Sequence, residues 1–185
     1  PALQAGQWRL FFTSADWYPL SGEYNLWPML WASLLASAGA IVLAAPLGIG
    51  CALFIHSHAP AWLAAGFRRL VTVLAGIPSV VFGLWGLTVL VPLLAAREPP
   101  GASLLAAILI LAIMVLPTIA LISAAALAQV PASHALGARA LGLARHAVLL
   151  RVVLPAARSG IAGGILLGTA RALGETMAVL MVAGN

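Results

Sequence analysis

In 185 residues the chain is 63% hydrophobic and only 7% charged, with several apolar runs longer than the roughly 20 residues that cross a bilayer as helix. That excludes a water-soluble globular domain and defines a polytopic membrane protein. The formal net charge of +5 rests on arginine alone, without lysine, and the arginines stand at the ends of apolar runs rather than in a patch; this excludes nucleic acid as a partner and points to membrane topology and anionic lipid. Cys51 is the only cysteine and lies in an apolar run, so an internal disulfide is excluded.

Residues 1–26 hold Arg9, Asp16 and Glu23, several aromatics and the turn-forming Pro19-Leu20-Ser21-Gly22, and read as an extracytoplasmic, partly amphipathic lead-in. The chain opens on Pro1 without a charged start followed by a short apolar run, so no signal peptide is visible. It stops at Asn185 directly after an apolar run, and the expectation is an internal piece of a longer polypeptide. Trp27 and Trp31, as an interfacial belt, open a first apolar run that lasts to about Ile55 and is interrupted at Pro46. Ser33 and Ser37, four apart, allow another helix to approach. His56-Ser57-His58-Ala59-Pro60 ends this helix, and the two histidines have no further His, Cys or carboxylate near them in sequence, so no metal site is expected.

Arg68-Arg69 precede a second run over about Leu70 to Ala95, which contains Gly76-Ile77-Pro78-Ser79. Proline removes a backbone donor and clashes with the preceding turn, so the helix is expected to break there. A broken helix at membrane depth bares backbone N–H groups, an anion site when it faces a cavity; Ser79 is therefore a candidate on a substrate path. Arg97-Glu98-Pro99-Pro100-Gly101 forms a turn, and a third run, Ala102 to about Leu127, contains Pro117 and Thr118.

Val130 to Gly160 is the only long segment too polar for lipid, with Arg139, Arg145, Arg151 and Arg158 between two apolar runs. Leu136, Ala140, Leu143, Ala147 and Leu150 recur at helical spacing, and Gly142 is expected to divide the segment into two short helices. Their apolar stripe needs the membrane surface, the chain's own helix ends or a cytoplasmic partner to rest on. Arg68, Arg69, Arg139, Arg145, Arg151 and Arg158 fall in the two loops on one side, Arg9 and Arg97 on the other. By the positive-inside bias the first run enters from outside and the basic segment is cytoplasmic.

The fourth run, about Ala156 to Val182, carries small residues four apart at Gly160, Gly164, Gly168 and Ala172, a face for close helix packing. Arg171 and Glu175 stand one turn apart on an adjoining face. Each costs about 2.5–3.5 kcal/mol near the bilayer centre on insertion scales, so neither can face lipid. A pair four apart on a helix is expected to meet, and it either pins helix to helix or stands on a transport path.

Leu136-Gly137-Ala138, Gly142, Val152, Leu154 and Pro155 follow the spacing of the pattern of ABC-importer permeases: glutamate-alanine-alanine, three residues, glycine, nine residues, isoleucine, any residue, leucine-proline. Leu136 stands for the family's glutamate and Gly137 for its first alanine. Gly76-Ile77-Pro78-Ser79-Val80-Val81-Phe82-Gly83-Leu84-Trp85-Gly86, together with Arg171-Ala172-Leu173-Gly174-Glu175-Thr176-Met177, resembles the PstC-type permeases of phosphate importers, from about Trp27 to Asn185. The resemblance implies an all-α, polytopic transmembrane bundle of the MetI-like permease class, with about four spanning helices over residues 27–185 and cytoplasmic coupling helices over 131–153. It implies import of inorganic phosphate across the cell inner membrane by alternating access. Arg171, Glu175, Thr176 and Ser79 would lie on the path, and Leu136, Gly137, Ala138, Arg139, Gly142, Leu154 and Pro155 at the ATPase contact.

The implied partners are a second homologous permease, two ATPase subunits on the cytoplasmic side and an extracytoplasmic phosphate-binding protein, all in membrane lipid. No GxxxxGK[ST] loop is present, so the chain is expected to be no enzyme and to hold no cofactor, ATP and Mg belonging to the partner. Chemistry alone leaves molybdate or sulfate open, since all are tetrahedral oxyanions. A secondary transporter with a buried Arg–Glu pair is the alternative from another class; it would have no use for the amphipathic pair around Gly142. An intramembrane protease is excluded, because every histidine sits in a loop. The orientation has a direct check: in a Cys51→Ala background, cysteines at Ser57 and Ser133 should react with a membrane-impermeant reagent only from the cytoplasmic side, and one at Ser103 only from outside. Outside labelling at Ser133 would reverse the topology.

Overall fold

A computed structural model describes residues 26–97 and 99–183; the lead-in, residues 1–25, lies outside the described residues. Helix α1 is Trp27–Ser57 and α2 is Ala61–Gly76. Helix α3 is the segment Ser79–Ala95, α4 is Leu104–Ala128 and α5 is Ala132–Ala140. Helix α6 is the segment Arg145–Ala156, α7 is Arg158–Leu173 and α8 is Met177–Ala183. Among the described residues α1 and α4 are long and apolar enough to cross a membrane alone, and the bent pairs α2–α3 and α6–α7 bring the number to four if each is one span. This is the all-helical bundle expected.

Local chemistry explains where the helices stop. Ile77 is extended because it precedes Pro78, and the chain turns by 91° between α2 and α3. Ser103 accepts the Ala106 N–H at 3.3 Å and so caps α4. Gly142, with φ +81°, ends the turn after α5 in a conformation that a side chain disfavours. Pro46 and Pro117 are carried inside α1 and α4 without a break. Two wide, π-helical stretches, Gly86–Leu90 in α3 and Leu149–Val153 in α6, contain the carbonyl four residues before Pro92 and Pro155 respectively. The proline ring cannot donate to that carbonyl and crowds it, and the ladder widens in response.

The runs read from sequence shift in two places. The second helix begins at Ala61 rather than near Leu70, so Arg68 and Arg69 lie within α2; the small and aromatic residues before them continue the helical pattern. The fourth run is not one helix, because α7 ends at Leu173 and α8 starts at Met177.

Helix α4 is the centre of the bundle. Gly39 and Gly48 of α1 meet Ile108 and Ile119, so that a Cβ on Gly48 would stand 3.1 Å from Ile119 Cγ2. The buried face of α1 is Ala36, Ala40, Ala44, Gly48 and Ala52, a stripe of small residues every fourth position. Helix α7 lays its glycines along an adjoining line of the same face of α4, Gly160 on Ala126, Gly164 on Ile122 and Gly168 on Ile119, so that Gly48 and Gly168 share Ile119. These pairings run in the same order along α1 and α4 and in opposite order along α7. Buried around them are Ile110, Leu111, Met114 and Val115 of α4, and Ala178 and Val182 of α8. A separate apolar cluster of Ala52, Leu127, Ala138, Val148, Val153, Ala157 and Ile161 joins the ends of α1 and α4 to α5, α6 and the start of α7.

A Cβ at Gly168 would come within 2.9 Å of Ile119, whereas one at Gly163 meets nothing within 4 Å. Gly168→Leu should therefore destabilise the folded protein by about 1–3 kcal/mol through overpacking, with Gly163→Leu close to neutral. Thermal unfolding of the two variants in detergent checks this, and equal melting points would refute the packing assigned to α7.

Candidate functional site

Two helix breaks meet at one place. The first, Ile77–Pro78, leaves the last carbonyls of α2 without helical partners. The second spans Gly174 to Thr176 between α7 and α8. The half-helices beyond the breaks pack on each other through glycines: a Cβ on Gly83 would stand 2.9 Å from Ala178 Cα, and one on Gly86 would stand 2.7 Å from Val182 Cγ1. An apolar cavity of about 280 Å³, lined by Ile77, Val81, Phe82, Trp85 and Ile113, lies beside the first break.

Arg171, part-buried in the last turn of α7, reaches across to α2 and α4. Its Nη1 donates to Thr118 Oγ1 at 3.1 Å and to the Ala75 carbonyl at 3.4 Å, and its Nη2 reaches the same carbonyl at 3.5 Å. A cation on the bare carbonyls at the end of α2 is the favourable sign for a helix C-terminus. Thr118 precedes the end of α4 at Ala128 by ten residues, about 15 Å along the axis, which is half of a hydrocarbon layer about 30 Å thick.

The expected Arg171–Glu175 pair is not formed. Gly174 ends the helix between the two residues, so the four-residue spacing no longer places them on one face. Glu175 instead turns to α8, where its Oε1 accepts the Ala178 N–H at 3.1 Å and satisfies a bare donor of the first turn. A carboxylate is the favourable charge at that end. Thr176 is exposed at the same break, and Ser79 is half-buried in the first turn of α3. The four residues thus divide between adjoining breaks, with Arg171 held at the first and Glu175 and Thr176 at the second. Sequence reasoning missed the Ala75 carbonyl and Thr118 as partners of Arg171; the only signal was the position of Thr118 beside Pro117.

At the basic end, Gly142 does divide the segment into two helices. The expected apolar stripe does not bury against the chain itself. Leu136, Ala140 and Leu150 are exposed and Leu143 and Ala147 half-buried, while Ala138, Val148 and Val153 pack inward. The π-helical stretch Leu149–Val153 shifts the phase of α6, which moves the inward face away from simple helical spacing. Of the pattern residues, Ala138 is buried and Leu154 half-buried; Leu136, Gly137, Arg139, Gly142 and Pro155 are exposed. The outer surface is therefore apolar and basic together, with Leu136, Leu141 and Leu150 beside Arg139, His146 and Arg151. The segment is tied to α1 by the Arg145 guanidinium, which donates to the Ser57 carbonyl.

Two broken helices joined at membrane depth, a cation held at one break and a basic helical pair at the far end define a polytopic transport-type bundle. The chain belongs to the family described as binding-protein-dependent transport system inner membrane component, whose profile matches residues 44–185. Among curated proteins, the phosphate transport system permease protein PstC of Mesorhizobium japonicum is 37% identical over 100% of this chain and 65% of its own length. The probable ABC transporter permease protein YqgH of Bacillus subtilis is 42% identical over 95% of this chain and 58% of its own length. PstC of Pasteurella multocida is 35% identical over 100% of this chain and 66% of its own length. The chain thus spans about six-tenths of the length of these relatives. Among solved structures, the MetNI methionine ABC transporter in inward-facing conformations matches with a TM-score of 0.63 at 22% identity, over 80% of this chain and 68% of that one. A second crystal form of it gives 0.62 at 20% identity over 93% and 74%. These two similarities show the MetI-like fold.

The unpaired geometry has a consequence for a charge swap. Exchanging the two as Arg171→Glu with Glu175→Arg would put a carboxylate against the Ala75 carbonyl and a cation at the start of α8, both unfavourable. Transport by the complete transporter is expected to fail in the swap and equally in each single charge reversal. Recovery in the swap to the parent rate would restore the ion pair and overturn the geometry given above.

Proposed function

We propose that this chain is the core of a permease subunit that imports inorganic phosphate, driven by ATP hydrolysed in separate subunits. The observation that carries the reading is Arg171, a guanidinium fixed about halfway across the membrane at the meeting of two helix breaks. An oxyanion crossing a low-dielectric barrier needs fixed positive charge on its way, and a planar guanidinium can grip two of its oxygens at once. Glu175 and Thr176 at the second break and Ser79 beside the first complete a polar patch in an otherwise apolar bundle. Glu175 keeps the site from holding the anion too firmly, because a translocation site must release its ion. The PstC relatives, named as phosphate transport permeases, support phosphate over molybdate or sulfate.

The assembly that goes with this reading has a second permease, two ATPase subunits with ATP and Mg, and an extracytoplasmic phosphate-binding protein. Alternating access is then a rearrangement of the two permeases around the breaks. The exposed, apolar and basic surface of Leu136, Arg139, Leu141 and Leu150 receives the ATPase, with Gly137, Ala138, Gly142, Leu154 and Pro155 shaping that segment.

The test is uptake of radiolabelled phosphate by proteoliposomes holding the complete transporter. Arg171→Lys, which keeps the charge but loses the two-pronged grip, should retain more uptake than Arg171→Gln, which keeps neither. Equal uptake by parent and Arg171→Gln would remove Arg171 from the path. Parent uptake of molybdate or sulfate in place of phosphate would replace the substrate.

A further inference from the structure

Thr118 departs from the habit of every other helical threonine among the described residues. Thr72, Thr88 and Thr169 turn their hydroxyls back to the carbonyls of Arg68, Leu84 and Ile165, at 2.8, 2.8 and 2.9 Å. That is the usual resting place for a hydroxyl proton inside a helix. Ser33 and Ser57 do the same to Met29 and Leu53, at 2.9 and 2.7 Å. Thr118 instead aims its oxygen at Arg171 and accepts the Nη1 N–H at 3.1 Å. A hydroxyl that accepts one hydrogen bond still has its own proton to give, and no acceptor among the described residues takes it.

From this we propose that Thr118 is a further anion-contacting residue of the translocation path. It holds the guanidinium of Arg171 in orientation through its oxygen and donates its free proton to an oxygen of the anion that Arg171 meets. The proposal rests on the reading that Arg171 lies on the path. The groups left free are then donors, the Thr118 hydroxyl proton and the Arg171 N–H groups not taken by Thr118 and Ala75. Two donors suit the bare oxygens of a tetrahedral oxyanion. The Ala75 carbonyl already accepts from both Nη1 and Nη2 and fixes the guanidinium rather than facing the anion. The ligand this cluster fits is a tetrahedral oxyanion, met by the free proton of Thr118 and the unused N–H donors of Arg171.

The experiment uses the complete transporter in proteoliposomes and reads phosphate uptake per assembled complex. Thr118→Val keeps the shape and removes the hydroxyl, while Thr118→Ser keeps the hydroxyl. Loss of a hydrogen bond to a charged group predicts a fall in uptake of about tenfold or more for Thr118→Val, with Thr118→Ser within about twofold of the parent. In an Arg171→Lys background the added Thr118→Val should reduce uptake by much less than it does alone, because the two act as one unit. Should Thr118→Val not assemble, Thr118→Ala against Thr118→Ser makes the same comparison. Uptake at the parent rate in Thr118→Val, equal losses in Val and Ser, or an undiminished loss in the Arg171→Lys background each overturns the role of Thr118. Arg171→Gln separates this from failure of the path: if that variant also transports at the parent rate, the path reading has failed, and if it is inactive, only the role of Thr118 has.

Discussion

The architecture depends on how closely two helices approach α4. In lipid there is no hydrophobic drive to bring apolar helices together, so association falls to van der Waals contact, and contact requires small residues at the seam. The stripe Ala36, Ala40, Ala44, Gly48, Ala52 on α1 and the ladder Gly160, Gly164, Gly168, Ala172 on α7 supply it along adjoining lines that share Ile119. Ile108, Ile119 and Ile122 of α4 fill the space the glycines leave, and Ile41 of α1 also reaches Gly168. Because Gly168 rests on Ile119, the next turn of α7 brings Arg171 to Thr118, one residue before Ile119. The polar contact at mid-membrane is thus a consequence of apolar packing one turn away.

Against that packed frame the breaks at Ile77–Pro78 and Gly174–Thr176 cost backbone hydrogen bonds that lipid cannot replace. At each break one bared group is met from within the bundle. The Ala75 carbonyl at the first break accepts from Arg171, and the Ala178 N–H after the second donates to the Glu175 carboxylate. The two charged side chains read from the sequence as partners of each other are therefore partners of helix ends, a cation on a C-terminus and an anion on an N-terminus. Both assignments follow the sign of the helix dipole, and both leave hydrogen-bonding capacity on the side chains: a guanidinium has five N–H donors, and Arg171 uses two of its nitrogens.

The spans, the break at Pro78, the division at Gly142 and the glycine ladder of α7 were legible in the sequence, because each follows from residues within one or two turns of each other. The small-residue stripe of α1 was equally legible in Ala36, Ala40, Ala44, Gly48 and Ala52, and only Ser33 and Ser37 were picked out from that helix. What sequence spacing could not carry was the helix end at Gly174. Glycine inside an apolar run is common in membrane helices, so nothing local marked this one as an end rather than another rung of the ladder. The error then propagated, since the predicted Arg171–Glu175 pair assumed an unbroken turn between them. Thr118 was invisible for a different reason: its partner lies 53 residues away, and only the packing of α7 on α4 brings the two together.

The same packing links the two ends of the bundle. Helix α7 starts at Arg158, directly after the 66° bend that ends α6, and carries Arg171 in its last turn. Its glycines hold it to α4 along its length, so a displacement at Arg158 meets a rigid contact at Gly160, Gly164 and Gly168 in turn. At the bend itself Ala157 and Ile161 are buried with Leu127, Val148 and Val153, and Arg145 ties α6 to the end of α1 through the Ser57 carbonyl. A close-packed interface shifts between discrete arrangements rather than deforming by degrees. Movement of the basic segment is therefore met either by the whole of α7 sliding on the face of α4 or by slack at Pro155 and the π-helical stretch before it. Only the first displaces Arg171 from Thr118 and Ala75, and it requires Ile119, Ile122 and Ala126 of α4 to leave the glycines on which they are seated.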